Sequence, residues 1–316
     1  MYSEFEFIQH IKEKFDLRHI GDDCAVLPKD GDTDMVITAD MLVEDIDFRH
    51  EWTTAKFIGH KALAVSLSDV AAMGAEPKWA MLSVGVPEKL WKSDFLDEFY
   101  EGWHDLASKF GVELIGGDIS RVSDKIVVDS IVSGNVPKGQ AILRSGAKPG
   151  DGIYVTGELG GAAAGLDLLL DGVKYNETSN PVQLELLKAQ LTPVPKDGAI
   201  FRTLGATAMI DLSDGLSSDL GHLCSASNVG AKIFSSSVPA NSRFESLDLS
   251  PEKKTDLALN GGEDLELLFT VDEKKISPDL LREFFKIGEV TANVDIIELI
   301  DGDKVAVLEP KGYRHF

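Results

Sequence analysis

"PKGQAILRSGAKPGD", residues 137–151, is dense in glycine, proline and charge, and it divides two stretches that follow the same order of strands and helices. Upstream, "DMVITAD" (34–40) reads as a short buried strand ending in a carboxylate. "KFIGHKALAVSLSDVAAM" (56–73) carries apolar residues at helical spacing and is stopped by "GAEP". Then come a strand in "WAMLSVGVP" (79–87), an amphipathic helix over 95–110, a strand in "VELIGGD" ending in two glycines and Asp118, and another in "KIVVDSIVSGNVP" (125–137). Downstream, "GIYVTG" is a strand, "ELGGAAAGLDLLLDG" a glycine turn into a helix, "TAMID" a strand, "DGLSSDLGHLCSAS" a helix, and "LELLFTV" a strand after "NGGED". Such alternation marks an α/β or α+β protein. At 316 residues with 43% hydrophobic content, the chain has enough apolar material for two domains, here expected over 1–140 and 141–316.

Charge and cysteine usage narrow the function classes. The formal charge of −22, from 53 acidic and 31 basic residues, opposes broad attraction to nucleic acid or an anionic membrane. Cys24 and Cys224 are far apart and form no CxxC, so neither a disulfide framework nor a structural zinc site is expected. The N-terminal "MYSEFEFIQHIKEKF" is an acidic amphipathic helix rather than a signal peptide, and no apolar run approaches the roughly 20 residues that span a bilayer. These features predict a soluble cytoplasmic protein.

The carboxylates are more specific. Asp22/Asp23, Asp40, Asp69, Asp118, Asp211/Asp214 and Glu263/Asp264 all lie near glycine, serine or threonine, and all but Asp69 sit at the edge of an element. Singly, such residues usually cap helices or make turns. Asp69 is different, because it lies mid-helix between apolar neighbours, where an unpaired carboxylate costs several kcal/mol. Lysine and arginine are sparse near these motifs, so divalent cations are the expected partners. Oxygen donors without nearby histidine or cysteine favour Mg²⁺, Ca²⁺ or Mn²⁺ over zinc. The spacing does not fit the calcium loop D-x-[DN]-x-[DN]-G, and Mg²⁺ commonly completes its shell with substrate phosphates. A phosphate-bearing ligand is therefore expected. The P-loop, the dinucleotide G-x-G-x-x-G and the protein-kinase triplets are all missing from the sequence. Gly157, Gly160 and Gly161 leave open a phosphate cradle at a helix N-terminus, although glycines there are mostly structural.

Taken in order, "GDDCAVL", "KALAVSLSDVAAMGAEP", "LIGGDISR", "LRSGAKPGDGIYVTGELG", "IDLSDGLSSDLGHL", "NGGEDLELLFTV" and "KGYRHF" closely resemble the thiamine-monophosphate kinase family, within the aminoimidazole ribonucleotide synthetase and selenophosphate synthetase superfamily. The resemblance spans residues 5–316. It implies a two-domain fold of the aminoimidazole ribonucleotide synthetase type, whose N-terminal sheet domain dimerises and binds nucleotide and whose C-terminal α/β domain completes the site. The implied reaction is transfer of the ATP γ-phosphoryl group to thiamine monophosphate, assisted by several Mg²⁺ ions. The matching metal positions are Asp23, Thr38, Asp40, Asp69, Asp118, Asp211 and Asp214, with Asp23, Asp69, Asp118 and Asp211 central to catalysis. Nucleotide contacts would come from Gly117, Asp118, Arg144, Ser213 and Tyr100, and substrate contacts from Glu263. A guanidinium at Arg144 suits bidentate contact with phosphate oxygens.

Two positions depart from the family pattern. Asp47 stands where many members carry a substrate-contacting histidine, and Pro310 where a tryptophan can precede "KGY". Asp47 and Tyr313 are then the candidates for holding the thiamine rings. The competing readings are another enzyme of the superfamily with a different phosphate acceptor, and a non-catalytic nucleotide-binding protein. The first is disfavoured because the chain has neither a reactive cysteine in an N-terminal glycine-rich tract nor a terminal cysteine, and the second because the aspartates and Arg144 are all present.

Overall fold

The computed structural model describes residues 4–313. The N-terminal half runs α1 (Glu4–Phe15), β1 (Ala25–Pro28), β2 (Thr33–Val43), α2 (Ala55–Ala72), β3 (Glu76–Pro87), α3 (Glu88–Trp91), α4 (Phe95–Phe110), β4 (Glu113–Val122) and β5 (Val127–Pro137). Its five strands pair in the order β1-β2-β5-β3-β4, antiparallel except for β3 with β4, which α4 connects as a crossover.

Helix α2 is central to this half. Thr54 caps it by accepting a hydrogen bond from Phe57 N at 3.2 Å, and nearly every side of it is buried. Gly59 of α2 and Gly102 of α4 let the two helices touch backbone to backbone, since a Cβ at Gly59 would lie 1.9 Å from the Phe99 carbonyl oxygen. The pair covers one face of the sheet, burying Val36, Leu82, Val84, Val128 and Val132. Met41 and Met81 lie on the other face, 61% and 40% exposed.

Strand β4 differs from the expected one. It does not end at the glycines but continues to Val122, paired in parallel with β3 from Trp79/Glu113 to Pro87/Val122 with a one-residue bulge at Ile115. Gly117 sits inside it at φ +152, with no room for a side chain because a Cβ would meet the Leu82 carbonyl at 1.9 Å. Strand β2 is likewise longer than "DMVITAD" and only half-buried, as a strand with one covered face must be.

The second half contains β6 (Gly152–Val155), α5 (Gly161–Leu170), α6 (Pro181–Leu191), α7 (Ala199–Leu204), β7 (Ala206–Asp211), α8 (Leu216–Ser227), β8 (Gly230–Phe234), α9 (Pro251–Asn260), β9 (Leu267–Val271), α10 (Pro278–Leu281), β10 (Phe285–Thr291), β11 (Ile297–Asp301) and β12 (Lys304–Val307). Its seven strands pair in the order β12-β11-β8-β10-β6-β9-β7. The last strand of the first sheet thus ends at Pro137 and the first of the second begins at Gly152. Among the described residues no helix is long and apolar enough to cross a membrane.

Candidate active site between the two sheets

The two adjacent aspartates before β1 do different things. Asp22 Oδ1 accepts the backbone N–H of Arg144 at 2.6 Å, which pins the segment linking the two halves. Asp23 turns inward, its side chain fully buried, and its Oδ1 accepts Arg144 Nε at 3.0 Å and Nη2 at 2.5 Å. Its Oδ2 is buried with no hydrogen-bond partner among the described residues.

Helix α2 brings further carboxylates and hydroxyls to the same place. Asp69 accepts from Thr38 Oγ1 of β2 at 2.5 Å. Ser66 donates to Asp40 of β2 at 2.7 Å, and Ser68 reaches into the other half to donate to Asp211, at the end of β7, at 2.6 Å. One oxygen from each of Asp23, Asp69 and Asp211 lies within 4.8 Å of the others. Crowding carboxylates in a dry setting disfavours their charged forms. Burial raises Asp23 to about 7, with Arg144 pulling the other way, and raises Asp40 and Asp211 to about 6. Asp69 is pushed well above the usual range by burial and then by Asp40, Asp211 and Asp23. Arg144 supplies one positive charge to this group. The orphaned Asp23 oxygen and an all-oxygen donor set fit a hard divalent cation.

From these carboxylates a cavity of about 440 Å³ leads away between the halves. Asp40, Asp69, Asp211, Ser213 and Asp214 are among its polar lining, and Trp52, Phe57, Leu166, Leu169 and Leu170 among its apolar lining. Lys61, nearly fully buried, lies along it and pairs with Glu263 Oε1 at 2.7 Å, while Gln190 Nε2 donates to Glu263 Oε2. Glu263 holds a left-handed backbone, φ +65, and its N–H donates to the Ser213 carbonyl at 2.8 Å, so the loops after β7 and before β9 are joined. Asp219, in the first turn of α8, accepts the N–H groups of Asp214 and Gly215 and holds the first loop in place.

Of the residues expected from sequence, Asp23, Thr38, Asp40, Asp69, Arg144, Asp211, Ser213, Asp214, Glu263, Asp47 and Tyr313 all lie in the cluster or along the cavity. Asp47 also accepts Val43 N–H at 2.7 Å and so closes its own turn. Gly117, Asp118 and Tyr100 do not line the cavity. Asp118 is exposed on edge strand β4, and Tyr100 packs edge-on against Phe99 at 5.5 Å. The glycine turn at 157–161 is structural, because the Asp264 carboxylate accepts Gly160 N–H at 2.6 Å and Ala162 N–H at 3.0 Å, putting the protein's own anion at that helix end. Lys61, Gln190, Ser66 and Ser68 were not foreseen. The one available signal was Lys61 set four and eight residues before Val65 and Asp69 on an otherwise apolar helix.

Comparison with known proteins gives this geometry a family. The AIR synthase related protein N-terminal domain matches residues 21–136, and the corresponding C-terminal domain matches residues 148–298. The thiamine-monophosphate kinase of Bacillus subtilis (strain 168) is 38% identical over 307 residues, covering 94% of this chain and 93% of that one. That of Escherichia coli (strain K12) is 39% identical over 307 residues, covering 94% and 91%. A solved structure described as "AaThiL complexed with AMPPCP and TMP" superposes with a TM-score of 0.87 at 32% identity, covering 99% of this chain and 97% of that one. With two-domain coverage, this level of identity and the shared architecture, the chain belongs to the thiamine-monophosphate kinase family.

Proposed function

We propose that this protein transfers the γ-phosphoryl group of ATP to thiamine monophosphate, giving thiamine diphosphate and ADP. The observation that carries this reading is a cavity of about 440 Å³ lined both by members of a buried carboxylate cluster and by apolar and aromatic side chains. Family membership and the related structure described with AMPPCP and TMP support it.

In the reaction, an ionised oxygen of the acceptor phosphate attacks the γ-phosphorus, the bond from that phosphorus to the β–γ bridging oxygen breaks, and ADP leaves. No general base is needed because the acceptor is already ionised. Catalysis then consists of alignment and charge stabilisation. Two unit negative charges 4 Å apart repel by about 4 kcal/mol at an effective dielectric of 20, so positive charge between the substrates is essential. Mg²⁺ bound by Asp23, Thr38, Asp40, Asp69, Asp211 and Asp214 would neutralise and align the phosphates; Asp118, which does not line the cavity, is assigned to the metal by the family resemblance alone. Arg144, whose Nη2 donates to Asp23 at 2.5 Å, would grip a phosphate oxygen with its remaining N–H groups. Ser213, which lines the cavity, is assigned to the nucleotide, and Gly117, Asp118 and Tyr100, which do not, are assigned to it by the family resemblance alone; Glu263, Asp47 and Tyr313 are assigned to the acceptor.

The same reading divides the labour along the chain. Residues 1–140 bind ATP and Mg²⁺ and dimerise, 141–316 complete the site, and the enzyme works in the cytoplasm. The uncovered sheet face bearing Met41 and Met81 supports a homodimer. The test is ADP release in the presence of Mg²⁺, with and without thiamine monophosphate. Strict dependence on the acceptor is expected, together with no reaction on unphosphorylated thiamine. Rapid phosphorylation of thiamine itself, or ADP release indifferent to the acceptor, would overturn the assignment.

A further inference from the structure

Helix α2 measures out the cavity. Lys61, Val65 and Asp69 all line it at intervals of four residues and so share one helix face. At 1.5 Å per residue, Lys61 stands about 12 Å from Asp69 along the axis. A substrate whose phosphate lies at the carboxylates therefore extends its far end to Lys61 and beyond, toward Phe57 and the turn that precedes the helix. That turn, His50–Trp52, carries Trp52.

Trp52 packs with Phe57 against Leu169, Leu187 and Leu191. Gln190, the residue before Leu191 on α6, is the one that holds Glu263. The indole and the Lys61–Glu263–Gln190 group thus both line the cavity, one apolar and flat, the other rich in hydrogen-bonding atoms. The indole already carries a planar cation, with the Arg49 guanidinium carbon 4.5 Å from the ring centroid. An indole face attracts cations through its quadrupole, and in a partly dry pocket that attraction is stronger than in water.

Resting on the phosphoryl-transfer reading above, we propose that Trp52 is a specificity-determining residue that stacks on the ring system of the acceptor and favours its cationic thiazolium. Glu263, oriented by Lys61 and Gln190, then faces the hydrogen-bonding edge of the second ring. The apolar walls and the indole select for a flat cationic heterocycle, and the carboxylate end selects for phosphate. A linear phosphate ester lacking an aromatic ring meets only the second requirement.

The experiment compares wild type with Trp52→Leu and Trp52→Phe in the ADP-release assay, and titrates tryptophan fluorescence with thiamine monophosphate in the absence of ATP. Of the four tryptophans in the chain, Trp52 is the one that lines the cavity. Trp52→Leu should raise the KM for thiamine monophosphate about tenfold while kcat and the KM for ATP stay near wild type, because binding common to ground and transition state is lost. Trp52→Phe should recover most of the affinity. The wild-type fluorescence should change on acceptor binding, and this change should vanish in both variants. An unchanged KM in Trp52→Leu, or wild-type fluorescence indifferent to the acceptor, overturns the role of Trp52 even if the enzyme is active. Absence of acceptor-dependent ADP release in wild type would instead overturn the reaction itself, with the fluorescence titration still reporting on Trp52.

Discussion

Replacing Asp211 with asparagine should stabilise the metal-free protein while destroying its function. Burial, opposed by Ser68 and Arg144 and reinforced by Asp40 and Asp214, lifts the Asp211 carboxyl from 3.8 to about 6. A rise of that size corresponds to about 3 kcal/mol of folding free energy withheld whenever the group is ionised. Asparagine keeps the acceptor that Ser68 uses, at the cost of about 1 kcal/mol for a buried amide with an unmatched donor. The net gain at pH 8 is then about 2 kcal/mol, or about 4–8 °C in Tm for a domain of this size. The sign follows from proton binding. With its folded pKa above its unfolded one, Asp211 contributes full stability below pH 4, and this contribution is lost as the pH rises through about 6. The net effect of Asp211→Asn should accordingly be a gain of about 2 kcal/mol above about pH 7, shrinking to about 0.5 kcal/mol at pH 5 and turning into a loss of about 1 kcal/mol well below pH 4, where only the amide cost remains. Thermal unfolding in a chelator across that range measures it, and repetition with Mg²⁺ at pH 8 should stabilise wild type far more than the variant. A gain independent of pH, no gain at pH 8, or equal stabilisation of both proteins by Mg²⁺ would refute the argument that this carboxylate is held against its charge to bind a cation.

Asp69→Asn should lower kcat by at least about 100-fold with the circular dichroism spectrum unchanged, and near-normal turnover at modest Mg²⁺ would remove Asp69 from the site. Arg144→Ala leaves Asp23 buried without its guanidinium and should cost about 3 kcal/mol at pH 8 and less at pH 5, where Asp23 takes up a proton. Calorimetry showing equal loss at both pH values would count against that account. Light scattering should give twice the 34.3 kDa chain mass at micromolar concentration, and Met81→Glu, on the uncovered sheet face, should shift it toward the monomer. A monomeric wild type would dismiss the dimer.

Much of the molecule was legible in the chain because its signals are local. The α2 and α4 helices announce themselves through apolar spacing and clear stops, and the strands through short β-rich runs between turns. Asp69 could be singled out because an aspartate amid apolar helical neighbours has no cheap alternative to a cation or partner. The motifs in their order identified the family. Tertiary structure decided what depends on partners distant in sequence. It distinguishes Asp22, which ties down the Arg144 backbone, from Asp23, which enters the cluster. It shows that Asp264 caps a helix whereas its neighbour Glu263 faces the cavity, a choice set by the left-handed turn at Glu263. It carries β4 on through its glycines, because pairing with β3 resumes after a one-residue bulge and leaves no space for a side chain at Gly117. It also places Trp52, Lys61 and Gln190 around a cavity with Glu263, although Trp52 and Gln190 read in sequence as ordinary core or surface. Periodicity reports how a residue faces its own element. Which charges and rings finally meet is set by how two separately formed sheets and their helices pack together.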